Sequence, residues 1–237
     1  MIELSHVTKE YKNLFALTDF SYKFEDGNVY GILGVNGAGK STLINCITKN
    51  LSFQGELKYY DLSKWYIGYV PQELAIYPEL SVMDNMLFFA SVYKMNKKDA
   101  RDRSLRLIEA VGLKEKISTK ASDLSGGMKR KLNLITGLIH NPKLLICDEV
   151  CVGIDPISRK EILEYLRDFK NNGLNIIYTS HYLEEVEYLC DKIIFLDKGK
   201  LILEGETRKL IESISNEEDT KSDLYDVFMK VLNKGGE

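Results

Sequence analysis

The stretch that decides the fold of this chain is Gly34-Val35-Asn36-Gly37-Ala38-Gly39-Lys40-Ser41. The apolar run Val29–Leu33 precedes it and predicts a strand, and Ser41–Ile47 follows with helical spacing. A G-x-x-x-x-G-K-[ST] pattern between a strand and a helix is typical of a loop that cradles phosphate groups. Its glycines let the backbone approach a phosphate closely, and the helix adds the positive end of its dipole. We therefore expect a nucleotide phosphate site here.

The side chains of this loop predict its individual contacts. Lys40 is expected to reach the β- and γ-phosphates of the nucleotide, and the Ser41 hydroxyl is expected to ligate Mg²⁺. The residues predicted to contact the nucleotide phosphates are Gly34, Asn36, Gly37, Ala38, Gly39, Lys40, Ser41 and Thr42.

A second element, Lys143–Glu149, is an apolar strand that ends in two adjacent carboxylates. Open parallel sheets bind their ligands beyond the C-terminal ends of the strands, so we expect the acidic pair and the phosphate loop to lie at one edge. Asp148 is predicted to hold Mg²⁺, and Glu149 is predicted to act as general base on the attacking water. From these two elements alone, kinases, GTPases and other P-loop enzymes remain possible.

Composition narrows the class of protein. The 237 residues are 44% hydrophobic and 28% charged, which is ordinary for a globular domain. The formal net charge of −3 gives no reason to expect a nucleic-acid partner. Four scattered cysteines suggest neither a disulfide framework nor a zinc site and fit a reducing cytosol. The acidic and polar start of the chain predicts no signal peptide, and no apolar run approaches the ~20 residues that span a bilayer.

The order of apolar segments predicts an α/β fold. Alternating residues before about position 27 predict an antiparallel β region, and helix-forming sequence without strand signals runs from Ser81 to about Leu113. In this helical region one apolar face is predicted to comprise Met83, Met86, Leu87 and Ala90, and another to comprise Leu105, Leu107, Ile108 and Val111. After Pro142, short apolar runs alternate with helical segments, which favours a mostly parallel sheet covered by helices. Residues 213–222 are polar and predict an exposed linker before a last amphipathic segment at Leu224–Val231.

A third motif, Asp123-Leu124-Ser125-Gly126-Gly127-Met128-Lys129-Arg130-Lys131, decides among the P-loop enzymes. It resembles the signature sequence of the ATP-binding cassette (ABC) ATPases, and this resemblance covers nearly the whole chain. It implies a P-loop NTPase core with a mostly parallel sheet, an N-terminal antiparallel β subdomain and an inserted α-helical subdomain. The whole chain is expected to be one ABC-type ATPase domain, with residues 1–72 and 141–237 forming the core and residues 73–140 forming the insert that carries the signature.

The resemblance extends to single residues. Tyr11 matches the aromatic residue that stacks on adenine, and Gln72 matches the Q-loop glutamine that senses the γ-phosphate and the metal. Asp155 matches the D-loop aspartate, and His181 matches the switch histidine. The signature residues implied to contact ATP are Ser125, Gly126, Gly127 and Met128. The residues implied to take part in hydrolysis are Lys40, Gln72, Glu149 and His181, and those implied to hold Mg²⁺ are Ser41, Gln72 and Asp148.

The resemblance also implies a working cycle and two partners. The signature of one subunit contacts the γ-phosphate held by another, so two ATP molecules lie between two head-to-tail subunits. ATP binding closes this dimer and hydrolysis reopens it, because the lost γ-phosphate contacts joined the subunits. The implied partners are a second ABC ATPase subunit, identical or related, and a separate membrane permease docked near Gln72. This arrangement implies a peripheral location at the cytoplasmic face of the membrane.

Two departures from the family pattern carry information. Met128 stands where most members have Gln, which resembles the branch that serves exporters of drugs, antibiotics and polysaccharides and favours export. Val150 stands where proline is common, and it restores a backbone N–H and loosens φ before Asp155. We expect the site to remain active, because Lys40, Asp148, Glu149 and His181 are all present.

Two other functions compete with transport. A soluble ABC ATPase acting on ribosomes or DNA would usually carry two cassettes or a long coiled-coil insertion, and the sequence has neither. Salt-sensitive RNA binding would support this hypothesis of a ribosome- or DNA-directed ATPase. A regulatory module without turnover is the third candidate, and steady ATP hydrolysis would exclude it.

Overall fold

The computed structural model describes residues 1–12, 14–60, 66–213 and 223–234. The chain forms two compact units, of which one comprises Met1–Leu62 and Ile176–Glu237 and the other comprises Ser63–Asn175. The second unit contains the whole predicted insert of residues 73–140 together with the acidic strand. The predicted division at residues 72 and 141 stays a prediction.

The elements follow in chain order. The strands are β1 Ile2–Tyr11, β2 Leu14–Phe24, β3 Val29–Leu33, β4 Gln54–Tyr59, β5 Ile67–Val70, β6 Leu144–Asp148, β7 Asn175–Thr179, β8 Lys192–Asp197 and β9 Lys200–Glu206. The α-helices are α1 Lys40–Ile47, α2 Val82–Val92, α3 Lys97–Ala110, α4 Gly126–Thr136, α5 Pro156–Asn171, α6 Leu183–Leu189, α7 Thr207–Glu212 and α8 Leu224–Lys234. Two short 3₁₀ turns lie at Lys114–Lys116 and Ala121–Asp123.

The first unit contains the predicted antiparallel region. Strand β1 pairs antiparallel with β2 on one side and with β4 on the other. Ile2, Leu4 and Val7 of β1 are buried, and a register shift between Leu4 and Val7 keeps all three on the core face. The antiparallel prediction is therefore confirmed, whereas β4, whose residues are mostly exposed, was not predicted.

Parallel pairing in the first unit centres on β3. This strand pairs parallel with β7 and with β8, and β9 adds antiparallel to β8. All five residues of β3 are buried, which explains why its sequence is a continuous apolar run rather than an alternating one. The mostly parallel sheet and the α/β fold class are confirmed.

The second unit places β5 parallel to β6 and adds helices α2 to α5. Val82, Met86 and Ala90 form the buried face of α2, so the helical prediction for this region is confirmed. The prediction was wrong in one detail, because Leu105 is 39% exposed while the neighbouring Leu107 and Ile108 are buried.

The last helix returns to the first unit. Leu224 and Val227 of α8 are buried, and the Phe228 ring packs on Phe195 of β8 with ring centroids 5.8 Å apart. The predicted linker falls almost entirely on residues 214–222, outside the described residues. All four cysteines are buried and unbridged. Among the described helices, none is long and apolar enough to cross a membrane.

Candidate functional site

The phosphate loop leaves β3 and enters α1 through a turn that glycine makes possible. Gly37 and Gly39 have φ values of 81° and 105°, a conformation that costs any other L-residue free energy. The Ala38 N–H donates to the Val35 carbonyl at 3.1 Å, which closes the turn. Helix α1 begins at Lys40. Its N-cap residue is Gly39, which has no side chain that could cap the first backbone N–H groups of the helix.

A neighbouring hairpin supports this loop. The Gly199 N–H, in the turn between β8 and β9, donates to the Ala38 carbonyl at 3.0 Å, and the Thr18 N–H donates to the Gly199 carbonyl at 2.9 Å. A Cβ placed on Gly39 would lie 2.4 Å from the Ala16 carbonyl oxygen, inside van der Waals contact. The loop is therefore held against β2 at a distance that only glycine permits. Sequence reasoning did not find Gly199.

Lys40 lies within the loop that it is predicted to serve. Its ammonium donates to the Gly34 carbonyl at 2.9 Å and to the Val35 carbonyl at 3.3 Å, and the residue is only 6% exposed. A buried ammonium held by carbonyl oxygens is a positive charge at the centre of the turn. Ser41 is exposed at the first turn of α1, and Thr42 is half-buried.

His181 follows β7 in a short segment that a buried carboxylate organises. One Glu185 oxygen accepts from the Ser180 hydroxyl at 2.5 Å and from the Tyr178 hydroxyl at 2.7 Å. The Ser180 hydroxyl in turn accepts from the Tyr182 N–H at 2.9 Å. This network fixes the residues on both sides of His181, whose side chain is exposed.

An open cleft of about 700 Å³ brings His181 and the phosphate loop together. Gly34, Val35 and Asn36 line one side, and the segment from Ser180 to Glu184 lines another. Tyr11 is not among the described residues that line it. That ring lies at the end of β1, is 42% exposed, and has the Lys9 ammonium 5.0 Å from its centroid.

The acidic pair ends β6 in the second unit. Both carboxylate residues are buried, with Asp148 8% and Glu149 9% exposed, and the Tyr69 hydroxyl donates to Asp148 at 3.3 Å. Burial and the Asp148 charge raise the pKa of Tyr69 to about 12, so this hydroxyl keeps its proton. Glu149 has a φ of 50°, a left-handed conformation that is unfavourable for a non-glycine residue. The Val152 N–H donates back to the Glu149 carbonyl at 3.2 Å and closes a turn.

The signature residues form the start of α4. The Ser125 hydroxyl caps the helix by accepting from the Met128 N–H at 3.2 Å. Ser125 and Gly126 are exposed, and Gly126 has open space around the position of a Cβ. Gly127 instead packs so closely that a Cβ would lie 2.0 Å from the Ser158 oxygen.

Asp155, the predicted D-loop aspartate, lies beside this helix start. Asp155 caps α5 by accepting from the N–H groups of Ile157 and Ser158 at 3.1 and 2.9 Å, and it also accepts from the Ser158 hydroxyl at 2.7 Å. These hydrogen bonds lower the pKa of Asp155 and keep it ionised. Ser158 therefore donates a hydrogen bond to Asp155 and also packs closely against Gly127.

Gln72 lies just after β5, and α4 holds the backbone on both sides of it. The Asn133 amide accepts from the Ala75 N–H at 2.9 Å and donates to the Pro71 carbonyl at 3.4 Å. The Arg130 guanidinium donates to the Gln72 carbonyl itself. The Gln72 side chain is exposed. The second unit therefore gathers the signature, Gln72, the acidic turn and Asp155 around one helix.

Sequence reasoning missed Arg130, Asn133 and Tyr69. The partners of Arg130 and Asn133 are backbone groups distant in the chain, which no residue type reveals. Tyr69 lies three residues before Gln72, and its bond to Asp148 depends on the pairing of β5 with β6.

The fold, the phosphate loop, the acidic strand and the signature at the start of α4 together are those of a P-loop ATPase of the cassette type. The family model described as ABC transporter matches residues 17–152, and the chain belongs to this family. It is an ATP-binding and ATP-hydrolysing cassette of an ABC transporter.

Two curated relatives place it more narrowly. The chain is 38% identical to the linearmycin resistance ATP-binding protein LnrL of Bacillus subtilis, over 98% of this chain and 78% of that protein. It is 36% identical to the Nod factor export ATP-binding protein I of Rhizobium etli, over 90% of this chain and 70% of that protein.

Solved structures agree in fold. The structure of an ATP-binding subunit of an ABC transporter superposes with a TM-score of 0.84 at 22% identity, covering 98% of this chain and 99% of that one. CbiO1 from Clostridium perfringens, part of the transporter complex cbiONQ, superposes with a TM-score of 0.81 at 25% identity, covering 89% and 90%.

Proposed function

We propose that this chain energises a membrane exporter by closing as a dimer around ATP and reopening after hydrolysis. The observation that carries the proposal is the start of α4, where Ser125 and Gly126 are exposed at a capped helix N-terminus. Such an N-terminus attracts a phosphate, and it belongs to a chain that already has a phosphate loop of its own. Two anion sites in one chain are what a nucleotide shared between two subunits requires.

The phosphate loop would hold ATP in its own subunit. Its contacts would come from Gly34 to Thr42, with the Lys40 ammonium turning from the loop carbonyls to the β- and γ-phosphates. Tyr11 would stack its exposed ring on adenine. The signature, from Ser125 to Met128, and Asp155 would meet ATP from the opposite subunit.

The residues predicted to hold Mg²⁺ fit that metal chemically. The Ser41 hydroxyl, the Asp148 carboxylate and the Gln72 amide all offer oxygen, which Mg²⁺ prefers. Bound Mg²⁺ would neutralise charge that develops on the phosphate oxygens. The Tyr69 hydroxyl orients the Asp148 carboxylate, since it donates to one of the carboxylate oxygens.

Hydrolysis would rest on Glu149 as general base toward the attacking water. The backbone φ of Glu149 is 50°, and the hydrogen bond from the Val152 N–H to the Glu149 carbonyl maintains this conformation. His181 would contact the γ-phosphate, and the network through Ser180 and Glu185 holds its segment in place. Gln72 would report the presence of the γ-phosphate and the metal to the partner permease.

The proposed partners are a second cassette, identical or related, and a separate membrane permease. The named relatives, a resistance ATP-binding protein and an export ATP-binding protein, support export as the direction. Met128 in the signature supports the same branch. The chain would then work at the cytoplasmic face of the membrane, and the permease would choose the cargo.

The dimer cycle is tested with Glu149→Gln, which keeps the size of the side chain and removes the base. The variant should bind ATP normally, lose steady hydrolysis by about 100-fold or more, and accumulate as an ATP-dependent dimer in size-exclusion chromatography. Lys40→Ala, which removes the phosphate contact, is the matched control and should form no such dimer. A Glu149→Gln protein that stays monomeric with saturating ATP would sink the proposed cycle.

The permease is tested by expressing the chain with and without its genomic neighbours. We expect the chain in the membrane fraction only beside a multi-span neighbour. Persistent absence from membranes in the presence of every such neighbour would contradict the transporter role.

A further inference from the structure

Arg130 spans two loops that the proposed mechanism uses. One amino group of its guanidinium donates to the Gln72 carbonyl, and the other donates to the Val152 carbonyl at 3.0 Å. Gln72 belongs to the loop after β5, and Val152 ends the turn that begins at Glu149. A single side chain on α4 therefore ties the backbone of the predicted metal-sensing residue to the turn that carries the predicted base.

The chemistry of this contact depends on the planar fork of arginine. A guanidinium offers donors in fixed directions and reaches two acceptors at once, whereas a lysine ammonium acts as a point charge. Arg130 is half-buried, and burial lowers its pKa, so its charge needs these carbonyl partners. Asn133, one turn further along α4, forms hydrogen bonds with the backbone of Pro71 and Ala75. With the Arg130 contact, α4 therefore makes three hydrogen bonds to the backbone of the Gln72 loop.

The acidic turn is a place where such a restraint matters. Val150 follows Glu149 directly, and its φ is not fixed by a proline ring. Glu149 is held at a φ of 50°, a conformation that persists only when its surroundings impose it. The bond from Arg130 to Val152, together with the turn closed by the Val152 N–H, supplies that restraint.

We propose that Arg130 is a positioning residue for ATP hydrolysis, which sets the spacing between the Gln72 loop and the Glu149 turn through its two carbonyl contacts. This inference rests on the proposed function, because it assigns Gln72 and Glu149 their roles there. ATP binding by the phosphate loop and Tyr11 does not involve Arg130.

The test compares Arg130→Lys with Arg130→Gln. Lysine keeps the charge but loses the fork, so both variants should lower kcat by about tenfold while KM for ATP changes less than about twofold. Arg101→Gln is the matched control, since it makes the same replacement at an exposed position on α3 and should leave kcat near the wild-type value. Circular dichroism and thermal melts establish that each variant is folded.

Hydrogen–deuterium exchange supplies a second readout that does not require turnover. In both Arg130 variants we expect faster amide exchange at residues 72–75 and at residues 150–153, with little change elsewhere in folded protein. The proposal is overturned if Arg130→Lys has wild-type kcat, or if only one of the two segments gains exchange. If the wild-type protein itself does not hydrolyse ATP, the proposed function fails, while the exchange comparison still decides whether Arg130 links the two loops.

Discussion

Two glycine-containing helix starts in this chain, at α1 and at α4, are proposed to bind the same ligand but are built differently. The start of α1 depends on backbone conformation, with Gly37 and Gly39 at positive φ and no side-chain cap. The start of α4 has a serine cap, and its glycines have no positive φ. At α1 the N-cap residue Gly39 has no side chain that could accept from an N–H group, whereas at α4 the Ser125 hydroxyl accepts from the Met128 N–H. Under the proposed function the first loop would enclose a phosphate, whereas the second would contact one only through its exposed helix start.

Gly39→Ala should have the largest effect, because it breaks the first of these two designs. The positive φ would destabilise alanine by about 1–2 kcal/mol, and the alanine Cβ would lie 2.4 Å from the Ala16 carbonyl oxygen. We expect about 3 kcal/mol lower free energy of unfolding and ATP binding weakened by about 100-fold or more, measured by urea denaturation and fluorescent-nucleotide titration.

Gly37→Ala is the control for that experiment. It shares the positive φ but nothing lies within 4 Å of its Cβ position, so only the conformational cost of about 1 kcal/mol applies. Equal losses in the two variants would show that the contact with Ala16 does not matter.

Gly127→Ala tests the start of α4, where close packing and not a positive φ requires glycine. Its Cβ would lie 2.0 Å from the Ser158 oxygen, so we expect a loss of about 2 kcal/mol in stability. Gly126→Ala, where no atom lies within 4 Å, should cost less than about 0.5 kcal/mol.

A double variant identifies the cause of the Gly127 effect. Adding Ser158→Gly to Gly127→Ala removes the clashing side chain, and the two changes together should cost less than the sum of the separate changes. Strict additivity in urea melts would mean that Ser158 is not what excludes alanine.

Ser125→Ala removes the cap and should cost about 1 kcal/mol of stability. Ser81→Ala is a closely matched control, because Ser81 caps α2 by accepting from the Asp84 N–H at 3.0 Å. Both variants should lose similar stability, but only Ser125→Ala should weaken the ATP-dependent dimer of a Glu149→Gln background. Equal dimer formation by the two variants would argue against a phosphate contact at the start of α4.

The effect expected to be smallest at neutral pH concerns His140, which follows α4, and it grows as the pH falls. Burial lowers the pKa of His140 to about 4, and its ring stacks on Tyr93 with centroids 3.7 Å apart. Between pH 6.5 and 4 the unfolded chain binds the proton more readily than the folded chain, so stability should fall as the pH falls through this window. His140→Gln should flatten this part of the pH profile in thermal melts. An unchanged slope would assign the acid sensitivity to other groups.

The sequence predicted most of the architecture because the relevant signals were local. Continuous apolar runs such as Val29–Leu33 and Leu144–Cys147 mark buried strands. The phosphate loop, the acidic strand and the signature each lie within a short stretch of sequence. Strand β4 was missed because its residues are largely exposed and lack the alternation that a half-buried strand shows. Leu105 was misassigned because a helical pattern identifies a face only when the neighbouring helices are known.

The site was predicted by residue type but not by its supports. Lys40, Asp148, Glu149 and His181 were proposed from motifs, whereas Gly199 and Arg130 act through backbone carbonyls far away in the chain. A carbonyl is present at every residue, so the sequence carries no mark of which one is used. The roles of the motif residues stay predictions that the variants above test.

The four buried cysteines make this protein convenient for optical measurements. Burial raises the pKa of Cys46 to about 11, and the other three thiols are likewise enclosed, so maleimide dyes should react slowly with the native chain. A single new cysteine at Ile157, which is 76% exposed two residues after Asp155, would then take up a fluorophore selectively. Energy transfer between two such labelled copies would follow association and release in real time, without removing any native thiol.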